Sequence, residues 1–265
     1  MNNLNLRLEA PSDYYEVENL TREAFWNTFR DPGHCICDEH LLIHRLRKGQ
    51  TFVPELNYIA ELNNKLVGHI IYTKCKVVDD LGKSHEMLTF GPISVLPEYQ
   101  NIGIGKALMT RTFKVAKQLG YRAVIIFGHP NYYPRVGFKP AIEFGITTSD
   151  GSNFDAFMAY PLFEGALNGI QGKSYFDPAY EDLNQDDVLE FDKQFTPKSG
   201  HSHISMDVLL ERLNPNAKKA IQALGFESLA LLQTKSYAEI LALDGMNEET
   251  FEIIRNVMKE FHLPW

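Results

Sequence analysis

Cysteine is scarce in this chain, with three in 265 residues. That is too few for a disulfide framework, and the expected compartment is a reducing, cytoplasmic one. Long apolar runs are missing too. No stretch reaches the roughly 20 residues a membrane helix needs, and MNNLNLRLEAPSDYYEV lacks the apolar centre of a signal peptide. Positive charge is in deficit, with 26 Lys and Arg against 34 Asp and Glu, a formal net charge of −8. This argues against a general binder of nucleic acid or of anionic membranes, while leaving room for a local basic groove. What is present is ordinary globular material, 44% hydrophobic, long enough for one large or two small domains.

Leu4, Leu6 and Leu8 alternate with polar residues and predict a strand. Pro11-Ser12-Asp13 ends it, and Asp13 with Glu16 predicts a capped helix carrying Val17, Leu20 and Ala24. A second helix is expected over 38–48. NYIAEL (57–62), Asn63-Asn64 and KLVGHIIYTKCKVV (65–78) read as a hairpin, because adjacent Asn residues tolerate the positive φ of a tight turn. EMLTFGPISV (86–95) is an apolar strand interrupted by Gly91-Pro92. A bulge or splay is expected there, since proline cannot donate to a ladder. A helix follows with Ile104, Leu108, Val115 and Leu119 on one face, stopping at Gly120. RAVIIF (122–127) is a buried strand, 129–138 a loop with a short helix, and 141–148 and 154–162 are further strands. The texture turns acidic near Asp177, and TPKSGHSH (196–203) reads as a linker into an all-helical tail. The expected domains are 1–197 and 198–265.

Between the strand ending at Val95 and the next helix lies EYQNIGIGKALM (98–109). A P-loop is excluded, because Gly105-Lys106 is followed by Ala107 and not by a magnesium-binding hydroxyl. A dinucleotide fingerprint is excluded because the third glycine is missing. A third pattern, Gln/Arg-x-x-Gly-x-Gly/Ala, is met in full by Gln100, Asn101, Ile102, Gly103, Ile104 and Gly105. Its physics suits a pyrophosphate: glycines let the backbone approach, successive N–H groups form a concavity, and the helix N-terminus adds positive charge.

Together with GYRAVIIFGHPNYYPRVGF (120–138), the stretch TFGPISVLPEYQNIGIGKALM (89–109) resembles the core of the GNAT N-acetyltransferase superfamily, particularly its YhbS-type members. The resemblance spans about residues 4–195. It implies an α/β fold with a mixed, mostly antiparallel, splayed sheet flanked by helices. It also implies acetyl-CoA as co-substrate, the backbone of Ile93 and Val95 on the pantetheine arm, and residues 100 to Lys106 on the pyrophosphate.

Direct acetyl transfer needs a neutral amine, a donor for the tetrahedral oxyanion and, helpfully, an acid for the thiolate. The family pattern of Tyr, three residues, then Gly-Phe is matched by Tyr133 to Phe138. A phenol of pKa near ~10 stays protonated at neutral pH, so the resemblance makes Tyr133 the acid. Tyr132 is out of register and is expected to pack. Glu86 opens the strand on which some members carry a catalytic glutamate and is the candidate base, though an exposed strand-end charge is the plainer reading. His85, His129 and a water chain are alternatives. Cys35, Cys37, His40 and His44 make four nominal ligands, but Cys-x-Cys is tight for tetrahedral zinc, so no metal is expected. The same stretch is read as the acceptor side, where Asp38, Glu39 or Glu55 would attract a cationic amine. Cys75 reads as a small buried hydrophobe.

SLALLQTKSYAEILALDGMNEETFEIIRNVMKEFHL (228–263) resembles the helix-hairpin-helix-like C-terminal domain of bacterial RNA polymerase alpha, over about 205–265. Asn247 stands where that family has a glycine, and Asn tolerates the left-handed conformation. From 201 to 265 six Lys and Arg face nine Asp and Glu. That balance opposes a phosphate backbone, so a protein partner is expected there, with nucleic acid disfavoured. The alternative to an enzyme is a non-catalytic CoA-binding or DNA-associated regulator. The acceptor, whether a small molecule or a protein amine, is not written in these motifs, nor is the oligomeric state.

Overall fold

Apolar and polar residues alternate in LNLRL, and the segment forms β1 (Leu4–Leu8), with Leu4 and Leu6 leaning on the core. The structure is a computed structural model describing residues 3–26, 37–196, 206–226, 229, 232 and 235–260. The chain divides into two compact units, one of 1–26 and 38–184, the other of 27–37 and 185–265. The division thus falls ahead of the linker expected at 196–203.

In the first unit, β2 (Tyr58–Leu62) and β3 (Lys65–Val78) form the expected hairpin, with Asn63 at φ 52° and Asn64 at φ 62° making its turn. β4 (Ser84–Val95) runs antiparallel to β3. α3 (Ile104–Gln118) crosses over to β5 (Ala123–Phe127), which lies parallel to β4. With β6 (Lys139–Pro140), β7 (Ile146–Thr147), β8 (Phe157–Pro161) and β9 (Gly172–Tyr175), the sheet has the order β1-β2-β3-β4-β5-β8-β6. β9 joins β3, and β7 joins β9. The strand expected over 141–148 is mostly a 3-10 turn, Ala141–Phe144, ended by Gly145 at φ 70°.

The two-residue side-chain period of the strands sorts the core onto two faces. Tyr58, Ala60, Ile70, Tyr72, Leu88, Phe90, Val124 and Ile126 pack with Ile104, Leu108 and Met109 of α3. On the other face Ile59, Leu66 and Ile71 meet α1 (Tyr14–Phe25) and α2 (Glu39–Leu46) through Val17, Leu20, Leu42, Ile43 and Leu46. Leu119, expected on the buried face of α3, is exposed. Asp13 does not cap α1 with its side chain; its carboxylate accepts from Ala10 N (2.8 Å) and pairs with Arg7 (2.6 Å). Among the described residues no helix is long and apolar enough to cross a membrane.

The second unit holds α4 (Gln185–Asp192), α5 (Asp207–Leu210), α6 (Pro215–Gln222), α7 (Tyr237–Leu241) and α8 (Glu248–Glu260). Leu209, Ile221, Ile240, Phe251, Ile254 and Met258 share its core. Asn214 caps α6 by accepting from Ala217 N (2.9 Å), and Ser236 and Glu239 form a capping box on α7. Asn247 is not in the expected left-handed conformation. Gly245 takes it, at φ 75°, and Asn247 caps α8 by accepting from Thr250 N (2.8 Å). A Cβ on Gly245 would lie 2.5 Å from Asn216 Cβ and 2.9 Å from Ala217 N. Gly245→Ala is therefore expected to cost this unit about 2 kcal/mol or more, read as a lower denaturant midpoint.

Candidate active site

The site is built around a parting of strands. On β3, Ile70 opposes Ile93 and Tyr72 opposes Phe90, so Gly91 and Pro92 together face one residue. This is the expected bulge, and it bends β4. β4 and β5 are in register at Leu88 and Val124. Beyond that point β5 stays with β8 as far as Phe127, while β4 leaves for the loop. A V opens between them. Leu96 N donates to Val67 O (3.0 Å), so Leu96 faces β3. Strand alternation then turns the N–H and C=O groups of Ile93 and Val95 toward the V.

At the open end the chain makes a 3-10 turn, Pro97–Tyr99, and enters the glycine loop. Gln100 Nε2 donates to Val95 O (3.1 Å), tying the loop to the strand it left. Asn101 (φ 61°) and Gly103 (φ 93°) are both left-handed, and Gly103 is the N-cap of α3. The first-turn amides of α3, through Lys106, have no intrahelical acceptor, and no acidic side chain stands in that turn. Buried Ile104 and Leu108 anchor the helix. Gly105 lies against the end of β4: a Cβ there would meet Ile93 Cδ1 at 3.6 Å and Tyr132 Oη at 3.8 Å. The fold therefore brings together Ile93, Val95 and 100–106.

Tyr133 begins the 3-10 turn Tyr133–Val136, closed by Gly137 at φ 101°. Its ring packs on Phe90 (5.9 Å between centroids) and Phe138 (5.4 Å). The same ring occupies the space of a Cβ on Gly128, 2.4 Å away. Among the described residues its hydroxyl makes no hydrogen bond. Burial, with the neighbouring charges of Tyr132 and Glu39, pushes the phenol above its ordinary value and keeps its proton on at neutral pH. Tyr132 does not pack into the core as expected; it is 41% exposed and borders the loop at Gly105.

Glu86 is not brought to this group. It sits at the closed end of the V, 57% exposed and paired with Lys74 Nζ (3.3 Å). Four strand residues, roughly 13 Å, separate it from Phe90. His85 faces Asp79 (3.5 Å), and His129 Nδ1 accepts from Asn131 N (3.2 Å). Of the four nominal metal ligands, Cys35 lies outside the described residues. His44 uses both ring nitrogens, with Glu18 (3.0 Å) and Lys48 (2.7 Å). No group of three or more His, Cys, Asp or Glu is placed to hold a metal among the described residues.

Across the V from α3 stands the face made by α1 and α2. Thr21 Oγ1 and Ser94 Oγ, 2.8 Å apart and buried, tie α1 to β4. α2 packs against β4 and against the turn Pro178–Tyr180. Tyr180, inside the acidic segment that begins near Asp177, donates to Gly91 O (3.3 Å) at the bulge and meets Thr73 Oγ1 (3.1 Å). Glu39 opens α2 next to Asp38, and its charge bears on the phenols of both Tyr133 and Tyr180. Burial, reinforced by Asp38, pushes the Glu39 carboxyl up to about 8. No cation is paired with it among the described residues. Glu55 is exposed, in the turn Pro54–Leu56.

Known proteins are similar to this chain in sequence and in fold. Residues 12–138 match the Acetyltransferase (GNAT) family. The uncharacterized N-acetyltransferase YjhQ of Escherichia coli K12 is 33% identical over 99 residues, 37% of this chain and 54% of that protein, so the chain spans about half its length. The uncharacterized N-acetyltransferase YhbS of the same strain is 25% identical over 167 residues, 63% of this chain and 92% of that protein. Two crystal structures share the fold. One is the GNAT family N-acetyltransferase YhbS of E. coli in complex with CoA (TM-score 0.59, 21% identity, 69% of this chain and 94% of that one). The other is a GNAT family acetyltransferase of Brucella melitensis in complex with acetyl-CoA (TM-score 0.53, 23% identity, 68% and 99%). Splayed strands, glycine loop, sequence match and shared fold agree that the first unit of this chain has the GNAT fold and is similar to the GNAT acetyltransferase family, whose model matches just under half of the chain.

Proposed function

We propose that the chain is an N-acetyltransferase moving an acetyl group from acetyl-CoA to an amine by direct attack. The observation that carries this is the loop. Left-handed Asn101 and Gly103 turn the first-turn amides of α3 into an anion site at the open end of a V whose inner edge is bare backbone. The pyrophosphate sits on residues 100–106, and Lys106 adds a charge. The pantetheine arm pairs with the backbone of Ile93 and Val95, which holds the thioester between the strands. The residues present suit CoA in this way, and the YhbS and Brucella relatives were crystallised with CoA and acetyl-CoA. When bound, it supplies the activated acyl carbon. Positioning an amine against that carbon provides much of the acceleration. Tyr133, with its proton held on, donates to the thiolate as it leaves. Glu86 has no part in this scheme.

The helical unit is read as a protein-interaction module resembling the RNA polymerase alpha C-terminal domain. Asp244, Glu248 and Glu249 around its hairpin disfavour nucleic acid. Scarce cysteine supports a cytoplasmic setting.

The deciding experiment is calorimetric titration with acetyl-CoA of the wild type and of Gly103→Glu. Binding by the first and loss in the second is the expected result. A left-handed N-cap with a carboxylate among the amides repels the pyrophosphate. Wild-type protein that does not bind acetyl-CoA would overturn the reading.

A further inference from the structure

Four phenylalanines gather where β5 ends, and the acetyl-transfer reading uses none of them. Phe127, the last residue of β5, stacks on Phe154 (5.8 Å between centroids, planes 20° apart) and packs on Phe176 (5.1 Å) and Phe157 (5.0 Å). Phe157 is buried beneath, whereas Phe127 and Phe154 are 53% and 48% exposed. Single exposed aromatics are ordinary on a protein surface, but a contiguous group marks a binding site. The loop that presents Phe154 is braced. Thr148 N donates to Ser152 O (3.1 Å), Asp150 accepts from Ser152 N (3.0 Å) and Ser152 Oγ (2.8 Å), and Phe157 N donates to Phe154 O (2.9 Å). Gly128 N donates to Ala156 O (2.8 Å), which ties the loop to the end of β5.

The strand register puts this group on the V. Leu88 and Val124 are the residues at which β4 and β5 are still paired. Gly91 lies three residues beyond the first and Phe127 three beyond the second. Each is roughly 10 Å along its strand from the closed end, so Phe127 stands across the V from the bulge. Val124 and Ile126 turn to α3, and alternation turns Phe127 to the opposite face, where Ile125 and Phe157 pack. Thr73 shares that face of the sheet with Ile71 and Cys75. Tyr180 comes to the bulge there, between Gly91 O and Thr73 Oγ1, and Phe176 precedes it by four residues. With CoA held at the N-terminus of α3, this opposite face is the side open to the acceptor.

We propose that Phe127, Phe154 and Phe176 form the subsite for the acceptor's side group, and that the acceptor is an amine carrying an aromatic ring. This rests on the acetyl-transfer reading above and names its substrate class. The three side chains offer ring faces and edges and no polar atom, so the group they take is apolar. An incoming ring gains offset-stacked or edge-to-face contacts beyond the area it buries, which an aliphatic group does not.

The test compares phenethylamine, cyclohexylethylamine and ethylamine, acetylated from acetyl-CoA by the full chain, with thiol release as the readout. The wild type is expected to prefer phenethylamine to ethylamine by about 30-fold in kcat/KM, and to cyclohexylethylamine by about 5-fold. Phe154→Ala is expected to lower kcat/KM for phenethylamine by about 10-fold, mainly through KM, and for ethylamine by no more than about 2-fold. The Kd for acetyl-CoA is expected to stay at the wild-type value. Phe127→Leu, which keeps an apolar side chain on the strand, is expected to lose the preference for phenyl over cyclohexyl. A wild type that binds acetyl-CoA and uses phenethylamine no better than ethylamine would overturn the subsite. Equal use of phenethylamine and cyclohexylethylamine would overturn the aromatic class. An equal fall on all three amines in both variants would make the rings structural and overturn the assignment. A wild type without preference that sediments as a dimer, dissociated by Phe154→Ala, would give the patch to a second copy of the chain instead. Failure of the wild type to bind acetyl-CoA would overturn the acetyl-transfer reading itself, and this proposal with it.

Discussion

Tyr133→Phe is expected to lower kcat for acetyl transfer by about 100-fold while leaving the Kd for acetyl-CoA nearly unchanged. The substitution keeps the ring that packs on Phe90 and Phe138 and fills the space over Gly128. It removes only the hydroxyl, which has no hydrogen-bond partner among the described residues, so the domain does not lose a structural contact. A thiol of pKa near ~8.5 is a tolerable leaving group unaided, which holds the loss to the lower part of the range for acid catalysis. Calorimetry and steady-state rates on the same preparation separate the two roles. A full rate in the variant would remove Tyr133 from the chemistry. A weakened Kd with unchanged kcat would make it a cofactor-packing residue. Gly128→Ala probes the same group from behind, since its methyl would meet the ring at 2.4 Å, and kcat is expected to fall in the same direction.

Arg47→Met is expected to cost the first unit about 3–5 kcal/mol and to abolish its folding at elevated temperature. Arg47, nearly inaccessible, bonds Glu9 through Nε (3.0 Å) and Glu18 through Nη1 (2.7 Å), and its guanidinium lies over Tyr14 (4.2 Å). Glu9 also accepts from Asn57, whose Oδ1 lies 2.7 Å from His69 Nε2. Removing the cation strands two carboxylates in a low-dielectric interior. The pH dependence gives a second readout. Burial already holds the Glu9 carboxyl above its usual value, with Arg47 pulling it back. A raised acid favours the folded state below its unfolded value near 4.5 and loses that advantage as pH rises through the folded value. Without Arg47 the folded value climbs further, so the variant's deficit is expected to shrink on going from pH 7 to pH 5. A deficit independent of pH would show that the loss is one of packing alone.

Much of this site is legible along the chain because its parts are local. The loop from Gln100 to Lys106 is a contiguous backbone device, and its glycines announce the left-handed turn it needs. The Gly91-Pro92 interruption announces the bulge. The resemblance singles out Tyr133 by its spacing to Gly137 and Phe138. Glu86 shows the limit of this reasoning. Its place at the head of β4 is visible in sequence, but which end of the V it occupies depends on where β5 leaves β4. Asn247 shows the same limit: the close approach of Gly245 to Asn216, and not the sequence pattern, decides which residue is left-handed.

By itself, then, the sequence determined the strand-loop-helix unit, since short-range periodicity and turn residues are written in consecutive positions. The tertiary structure alone decided which elements cover β4 on the face away from α3. Tyr180 reaches Gly91 across 89 residues, and Thr21 reaches Ser94 across 73. α2 reaches β4 and the turn Pro178–Tyr180 only through the same folding back. Contacts made across such separations leave no period in the chain, because they are fixed by the packing of whole elements.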